Sequence, residues 1–231
     1  MDEIERIRAE FETRDRTIPP DFYAWHRPEI QYWQRQTARA CTKLLEKAGA
    51  LPLGNAAVAD IGCGTGQWLA EFVHWGAKAA NLHGIDLLEE RVTRARERLP
   101  DADLICGDAR HLPWADGSFD LLTQFTVFSS ILDCEVQRAI AGEMLRVLRP
   151  GGHILWYDCR WSNPARAAVR GLHRRDIERL FPNCAIDFTV TTLVPPLSRI
   201  IARHSRALAA MLESLRFTCT HLAAVITPGK K

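Results

Sequence analysis

The stretch Val58-Ala59-Asp60-Ile61-Gly62-Cys63-Gly64-Thr65-Gly66 decides the fold class of this chain. A short apolar run at residues 55–59 leads into it, and residues 67–73 after it carry apolar side chains at helical spacing. The pattern predicts a strand, a glycine-rich turn and a helix, which together begin a βαβ unit. Alternate glycines let the backbone approach a ligand closely, because no Cβ stands in the way. The helix that follows directs its free N–H groups towards that ligand.

The spacing of these glycines is G-x-G-x-G, whereas dinucleotide sites carry G-x-G-x-x-G. A dinucleotide presents a pyrophosphate, which binds N–H donors and is repelled by a nearby carboxylate. In this chain Asp60 stands at the mouth of the strand. The turn is therefore expected to favour a ligand that carries positive charge.

Two further acidic residues follow short predicted strands. Asp86 ends the run at residues 81–86, near the position where doubly wound folds place a carboxylate for the ribose hydroxyls. Asp108 ends a third such run, within residues 103–109. The glycine turn and the three acids together resemble the class I S-adenosyl-L-methionine-dependent methyltransferases, over roughly residues 50–160. The alternative is a glycine turn that binds no ligand.

This resemblance implies an α/β fold: a doubly wound, Rossmann-like, seven-stranded and mostly parallel sheet with an antiparallel last strand. It implies S-adenosyl-L-methionine as cofactor and S-adenosyl-L-homocysteine as product. The matching cofactor positions are Asp60, Gly62, Gly64 and Gly66 for the methionyl arm, Asp86 for the ribose, Leu87, Asp108 and Ala109 for the adenine, and Gln124 for the cofactor's other side.

Composition places the chain among globular proteins. Of its 231 residues, 47% are hydrophobic and 25% are charged, and no run approaches the roughly 20 apolar residues of a membrane helix. The N-terminus is charged with alternating sign, which is not typical of a signal peptide. The seven cysteines form no C-x-x-C pair, so neither a disulfide framework nor a metal site is expected. Reduced thiols fit a cytoplasmic location best.

The resemblance implies an N-terminal helical or lid segment at residues 1–49 and a class I methyltransferase domain at residues 50–231. Residues 18–28 contain three prolines and cannot be regular structure. A helix is predicted from Pro28 to about residue 48. In methyltransferases of this kind, a segment before the glycine motif often folds over the cofactor. The aromatic residues of 18–28 are expected either to form such a lid or to pin the helix to the core.

The acceptor is expected at the ends of the fourth and fifth strands. Amino methyltransferases that act on nucleic-acid bases or glutamine commonly carry an N/D-P-P-Y/F motif there, and its absence argues against those acceptors. For a general base the candidates are Asp158 and His26; Asp158 could equally cap a helix or pair with an arginine, and His26 could be a core residue. The candidate acceptor contacts are Phe125, Thr126, Phe128, Tyr157 and Arg160.

The C-terminal third is basic. Residues 160–216 contain ten arginines, no lysine and four acidic residues, a net charge of +6. Between the last two predicted strands, where the usual fold has a hairpin, residues 196–215 are patterned as an inserted helix with a basic stripe of arginines. This helix could cap the acceptor pocket and recruit an anionic acceptor, lie on a membrane surface, or present a solvated face.

The leading hypothesis is methyl transfer to an oxygen or nitrogen of a small-molecule acceptor, by in-line displacement at the sulfonium methyl. Holding both reactants at near-attack distance supplies up to about 7–11 kcal/mol of barrier reduction. One alternative is an RNA or protein methyltransferase, although no nucleic-acid-binding module is visible, so a nucleic-acid partner is disfavoured. The other is a partner protein that binds the cofactor without catalysis. The sequence makes no prediction of oligomeric state.

Overall fold

The computed structural model describes residues 2–19, 27–162 and 167–229 of the chain. The strands are β1 (Val58–Ile61), β2 (Leu82–Asp86), β3 (Asp103–Cys106), β4 (Phe119–Phe125), β5 (Leu148–Cys159), β6 (Cys184–Leu193) and β7 (Cys219–Pro228). The helices are α1 (Glu3–Thr17), α2 (Pro28–Ala48), α3 (Gln67–His74), α4 (Glu89–Arg98), α5 (Cys134–Val147), α6 (Arg174–Leu180), α7 (Pro195–His204) and α8 (Arg206–Ser214).

The seven strands form a single sheet in the order β3-β2-β1-β4-β5-β7-β6. Strands β1 to β5 pair in parallel, and β7 is antiparallel to both of its neighbours. The order reverses at β1, where β2 lies on one side and β4 on the other. In open α/β sheets the crevice outside the strand ends at such a reversal is where ligands bind. The predicted doubly wound fold is confirmed.

Helices cover both faces of the sheet, which explains why the central strands are apolar on both sides. Ala59 and Ile61 of β1 belong to the core that α5 and α6 cover. Val58 belongs to the other core, which α2, α3 and α4 cover. All four residues of β1 are buried, so the strand places Asp60 inside the protein.

Capping residues fix the ends of the two N-terminal helices, and contacts with residues far away in the sequence hold the helices in place. Asp2 caps α1 in a capping box, and Pro28 begins α2, which ends at Gly49 in the left-handed conformation. Arg6 of α1 donates to the carbonyl oxygen of Ser130, 2.6 Å away. As a result, α1 lies across the carboxyl edge of the sheet.

The predicted insertion between β6 and β7 is present, and it consists of two helices rather than one. The chain is extended at Ser205, whose φ is −152°, and the Ser205 hydroxyl accepts from the Leu208 N–H to cap α8. Both helices pack against α2: Arg203 pairs with Glu29 at 2.6 Å, and the Tyr32 hydroxyl donates to Glu213 at 2.6 Å. Among the described residues, no helix is long and apolar enough to cross a membrane.

Candidate active site

A cavity of about 470 Å³ lies at the carboxyl edge of β1, β2 and β4. Its floor is the glycine-rich turn after β1, and α1 and α2 cover it from outside. The strand ends bring together residues that are far apart in the sequence. The predicted site residues that line the cavity are Asp60, Gly62, Gly64, Asp86, Leu87, Asp108, Ala109, Phe125, Thr126 and Tyr157.

The glycine turn is held by hydrogen bonds to β2. The Gly62 N–H donates to the carbonyl oxygen of Ile85 at 2.8 Å, and the Gly64 N–H donates to the Asp86 carboxylate at 2.8 Å. The φ angles of Gly62 and Gly64 are +72° and +54°, in the left-handed region. A Cβ on Gly62 would also collide with the Val127 side chain. Any larger residue at this position would deform the floor of the cavity.

Asp60 places a buried carboxyl group at the cavity wall. Its side chain is 2% exposed and accepts one hydrogen bond, from the Thr123 hydroxyl at 2.6 Å. Burial raises the pKa of Asp60 to about 7, and the nearby Asp86 carboxylate adds to the rise. A cation in the cavity would favour the ionised form of Asp60. This carboxyl group therefore suits a ligand with an ammonium group.

Asp86 stands at the neighbouring strand end. One carboxylate oxygen accepts from Gly64 and the other accepts from the Leu88 N–H at 3.0 Å. Burial raises the pKa of Asp86, although these backbone donors oppose the rise. Because each carboxylate oxygen offers two acceptor sites, Asp86 can still accept from a pair of ligand hydroxyls.

Asp108 lies at the far end of the same edge and is bound to a side chain of its own loop. Its carboxylate accepts from the Arg110 guanidinium at 2.8 Å and from the Arg110 N–H at 2.9 Å. Burial alone would raise the pKa of Asp108, but the Arg110 contacts hold it below its ordinary value. The carboxylate is therefore ionised in a half-buried position beside Ala109.

One wall of the cavity is aromatic. The Trp68 and Phe125 rings are stacked with their centroids 4.1 Å apart. The Trp33 indole N–H donates to the Tyr157 hydroxyl at 2.9 Å, and that hydroxyl also hydrogen-bonds with Thr192 at 2.6 Å. Burial raises the pKa of Tyr157, so its hydroxyl stays protonated. This wall suits an apolar or aromatic molecule placed beside the glycine turn.

Comparison with known proteins agrees with this geometry. Residues 58–152 match the family model of a methyltransferase domain. Demethylmenaquinone methyltransferase from Beutenbergia cavernae is 31% identical over 80% of this chain and 64% of its own length. Phthiotriol/phenolphthiotriol dimycocerosates methyltransferase from Mycobacterium tuberculosis is 34% identical over 52% of this chain and 44% of its own length. The chain thus spans less than two thirds of the length of these relatives.

A crystal structure of an S-adenosylmethionine-dependent methyltransferase from Methanosarcina mazei shares the fold, with a TM-score of 0.61 and 16% identity. It covers 79% of this chain and 97% of its own. Residues 58–152 thus resemble a methyltransferase domain in sequence, and the chain shares the fold of a class I S-adenosylmethionine-dependent methyltransferase. S-adenosylmethionine, the cofactor of these similar proteins, fits the chemistry of the residues present: Asp60 suits an ammonium group, Asp86 suits a pair of ribose hydroxyls, and the glycine turn leaves room for close approach.

Two predicted cofactor residues do not line this cavity. Gly66 lies behind the turn, with φ at +73°, and a Cβ there would meet the Ala95 Cβ at 3.2 Å. Its lack of a side chain serves the packing of the turn on α4. Gln124 is fully buried, and its amide accepts from the Val127 N–H at 3.1 Å. Gln124 therefore braces the loop after β4.

Three other predicted residues lie on the opposite face of the sheet or beyond its edge. Side chains alternate along β5, so Asp158 points away from the cavity that Tyr157 lines. Asp158 is buried and accepts from the Ser129 and Cys159 N–H groups, which places it outside reach of a ligand in the cavity. Its pKa is raised to about 6 by burial.

Phe128 packs on Trp156 in the core, and Arg160 donates to the carbonyl oxygen of Cys219 at 2.9 Å. Neither residue lines the cavity. His26 lies outside the described residues, as do the aromatic side chains of residues 22–25 in the predicted lid. Within the described part of the chain, no cluster of three or more His, Cys, Asp or Glu side chains could hold a metal ion.

The sequence reasoning missed α1 as part of the site. Ile4, Ile7 and Phe11 line the cavity from one face of this otherwise charged helix. The signal was their spacing at i, i+3 and i+7. Two charged contacts hold the helix: Glu3 accepts from the Leu132 N–H, and Asp15 pairs with Arg91 at 2.7 Å. Trp33 and Trp68 of the aromatic wall were also missed.

Proposed function

We propose that the chain transfers the methyl group of S-adenosylmethionine to a nucleophilic oxygen or nitrogen of a small-molecule acceptor. The observation that carries the proposal is one cavity with two different walls. Asp60, Asp86 and the glycine turn form a polar part of the lining for the cofactor, and the rings of Trp68 and Phe125 form an aromatic wall in the same cavity. Such an arrangement holds two molecules side by side, which is the main requirement for in-line displacement.

The acceptor wall favours a neutral, partly aromatic acceptor over the anionic one that was one of three alternatives for the C-terminal arginines. Trp33, Trp68, Phe125, Thr126 and Tyr157 carry no charge. The inserted helices α7 and α8 contribute no described residue to the cavity lining. They support the wall indirectly, since Glu213 of α8 accepts from the Thr192 N–H at 2.7 Å and Thr192 hydrogen-bonds with Tyr157.

No carboxylate lies on this acceptor wall in the described part of the chain. The protonated Tyr157 hydroxyl can orient an acceptor but cannot remove its proton. The sulfonium methyl is already activated, so an amine, or a hydroxyl acidic enough to ionise in water, needs no strong base from the protein. The aromatic wall therefore positions the acceptor, and the acceptor loses its proton without a base from the protein.

The relatives support a small-molecule acceptor, because their names describe methylation of demethylmenaquinone and of phthiotriol dimycocerosates. We infer that residues 1–49 cover the reacting molecules and that residues 50–231 hold them. The contacts of α1 and α2 with the cavity support this division.

The test is methyl transfer from S-adenosylmethionine labelled in its methyl carbon. The protein is incubated with the small-molecule fraction, the RNA fraction and the protein fraction of a cell extract, and the label is followed in each. Label is expected in the small-molecule fraction with the wild-type protein. With Asp86→Ala it should fall, because losing the carboxylate weakens cofactor binding by roughly 1–3 kcal/mol. Tight binding of S-adenosylhomocysteine without label in any fraction would favour a partner protein without catalysis.

One observation supports a second candidate, an RNA or protein acceptor. A basic cleft beside Trp161 is lined by Arg160, His173, Arg174, Arg175 and Arg179. Arg160 lies over the Trp161 ring at 4.4 Å, and stacked cations and rings are typical of nucleic-acid surfaces. Label in the RNA fraction that declines steeply with added salt would favour this candidate over the first.

A further inference from the structure

A second cavity, of about 270 Å³, lies between α2 and α3. It shares three lining residues with the cofactor cavity: Trp33, Gln67 and Trp68. The two cavities therefore adjoin each other at these side chains.

The wall of the second cavity contains an unpartnered buried amide. Gln34 is 6% exposed, and neither its Oε1 nor its Nε2 makes a hydrogen bond with any described residue. Leaving a buried donor and a buried acceptor unpaired costs free energy. Gln137 shows that the same side chain can be fully satisfied in this protein: it is 3% exposed and donates to the carbonyl oxygens of Phe128 and Ile131.

The charge around Gln34 is balanced. Arg35 and Glu71 also line this cavity, and Glu71 accepts from the Trp75 indole N–H at 3.0 Å. The cavity therefore offers no net attraction to an anion. A side-chain amide presents one acceptor and one donor next to each other, which matches the edge of another amide in two hydrogen bonds. The indole rings of Trp33 and Trp68, which line this cavity as well as the cofactor cavity, suit a planar group.

We propose that the second cavity binds a neutral planar part of the methyl acceptor, such as a carboxamide or a lactam. Such a group carries a hydrogen-bond donor and a hydrogen-bond acceptor side by side, and Gln34 makes one hydrogen bond with each. The inference rests on the proposed function, since it names the class of acceptor. Gln34 is a specificity-determining residue in this proposal, with no part in the transfer step.

The test uses benzamide as the probe and benzoate, its anionic counterpart of the same shape, as control. Binding is followed by tryptophan fluorescence and by the melting temperature of the full chain at millimolar probe, because so small a fragment binds weakly. Benzamide is expected to bind at least about tenfold more tightly than benzoate, and Gln34→Met should remove that preference.

The stability of the variants separates a binding role from a structural one. Gln34→Met removes an unpaired polar group, so it should raise the melting temperature by about 2 °C or more. The matched variant Gln137→Met leaves two carbonyl oxygens unpaired and should lower it. An unchanged melting temperature with no benzamide effect would show that the cavity holds ordered water only.

Two other results would overturn the inference. One is equal benzamide binding by wild type and Gln34→Met, and the other is a lower melting temperature for Gln34→Met. Titration of the same samples with S-adenosylhomocysteine keeps the two proposals apart. If wild type does not bind that molecule, the proposed function fails; if it binds while benzamide does not, only the assignment of Gln34 fails.

Discussion

The site has a cofactor half, built on the glycine turn after β1, and an acceptor half, built on the aromatic wall and the threonines next to it. Both halves contain left-handed backbone, but different residue types adopt it. In the cofactor half, the positive φ angles belong to glycines: +72° at Gly62, +54° at Gly64 and +73° at Gly66. In the acceptor half they belong to threonines: +58° at Thr126 and +69° at Thr192. Glycine adopts this conformation without steric cost, whereas a β-branched residue pays about 1–3 kcal/mol.

The contacts of the acceptor half include one from much farther along the chain. The glycine turn bonds to β2 through the Gly64–Asp86 hydrogen bond, across 22 residues. The two threonines bond across comparable separations: the Thr126 N–H donates to the Tyr157 carbonyl oxygen, and the Thr192 N–H donates to the Glu213 carboxylate, 21 residues on. Trp33 reaches Tyr157 across 124 residues. The cofactor half is therefore unstrained, whereas the acceptor half is strained and also depends on a contact from α2, far away in the sequence.

The largest effect is expected from a side chain on the cofactor floor. Gly62→Ala adds a Cβ at a positive φ that also collides with Val127, so it should lower the free energy of unfolding by several kcal/mol and abolish S-adenosylhomocysteine binding. The measurements are denaturant unfolding and calorimetry of the ligand.

Gly64→Ala is the matched control, because its φ is also positive but its Cβ would meet nothing within 4 Å. It should cost only about 1–2 kcal/mol and leave measurable binding. Equal loss in the two variants would mean that backbone conformation alone, rather than the approach to Val127, requires glycine at the cofactor floor.

The next effect is a pH dependence of cofactor binding. The pKa of Asp60 in the folded protein is about 7, above its ordinary value of 3.8, so the folded state holds this proton where the unfolded state has lost it. Asp60 therefore makes stability fall as pH rises from about 4 to 7. A bound ammonium group favours the ionised form, so affinity for S-adenosylhomocysteine should rise up to about tenfold per pH unit between pH 5.5 and 7 and then level off.

Asp60→Asn tests this prediction directly, because it replaces the titratable carboxyl group with a neutral amide of nearly the same shape. Its affinity at pH 8 should be lower than that of wild type, and its slope below pH 7 should shrink to the part that Asp86 contributes, whose pKa burial also raises. Calorimetry at several pH values gives both quantities. A slope as steep as that of wild type would place the titrating group elsewhere.

The difference between the halves explains how much could be predicted from the sequence. The floor, the three acids and the sheet were predictable because each lies next to a local pattern: a glycine triplet or the end of an apolar strand. Asp158 was assigned to the acceptor site, but it faces away, since a neighbour in the sequence lies on the opposite face of a strand. Trp33 was not assigned at all, because only the packing of α2 on the sheet brings it to Tyr157.

The inserted segment shows the same limit. Its apolar positions predicted one helix over residues 196–215, and Ser205 breaks it in two by capping α8. Serine favours helix starts, but a single serine inside an apolar pattern does not reveal which role it plays. The position of these helices follows from Glu29 and Tyr32 on α2, which pair with Arg203 and Glu213. Pairings across so many residues leave no local pattern.

A smaller effect is expected from cutting the tertiary support of the acceptor half. Glu213→Ala removes the acceptor for Tyr32, Thr191 and Thr192, so it should lower the free energy of unfolding by about 1–3 kcal/mol. It should also reduce kcat/KM for the acceptor several-fold, because Thr192 no longer fixes the Tyr157 hydroxyl. Affinity for S-adenosylhomocysteine should change by less than about twofold.

The exposed Glu97 on α4 supplies the control, as Glu97→Ala removes the same charge without touching this network. Glu213→Gln keeps one acceptor oxygen and should restore part of the activity. If Glu213→Ala weakened cofactor binding as much as acceptor binding, the two halves would not be separately supported, and the difference between them in backbone strain and support would have no functional meaning.

The smallest effect concerns α1, which belongs to neither half and lines the cavity from the N-terminal end of the chain. Asp15 and Arg91 form two hydrogen bonds, at 2.7 and 3.0 Å, with Asp15 45% exposed. An exposed pair of this kind contributes about 0.2–1 kcal/mol, and salt weakens it. Asp15→Ala should therefore leave the melting temperature nearly unchanged while S-adenosylhomocysteine dissociates up to about fivefold faster in stopped-flow measurements.

Glu12→Ala is the control on the same helix, because the Glu12–Arg16 pair is exposed and joins two residues of α1. Its dissociation rate should match that of wild type, and the difference between the variants should vanish in high salt, since it arises from one screened ion pair. Equal dissociation rates at low salt would mean that the apolar contacts of Ile7 and Phe11 hold α1 in place without Asp15. Packing, rather than the Asp15–Arg91 ion pair, would then keep α1 against the cavity.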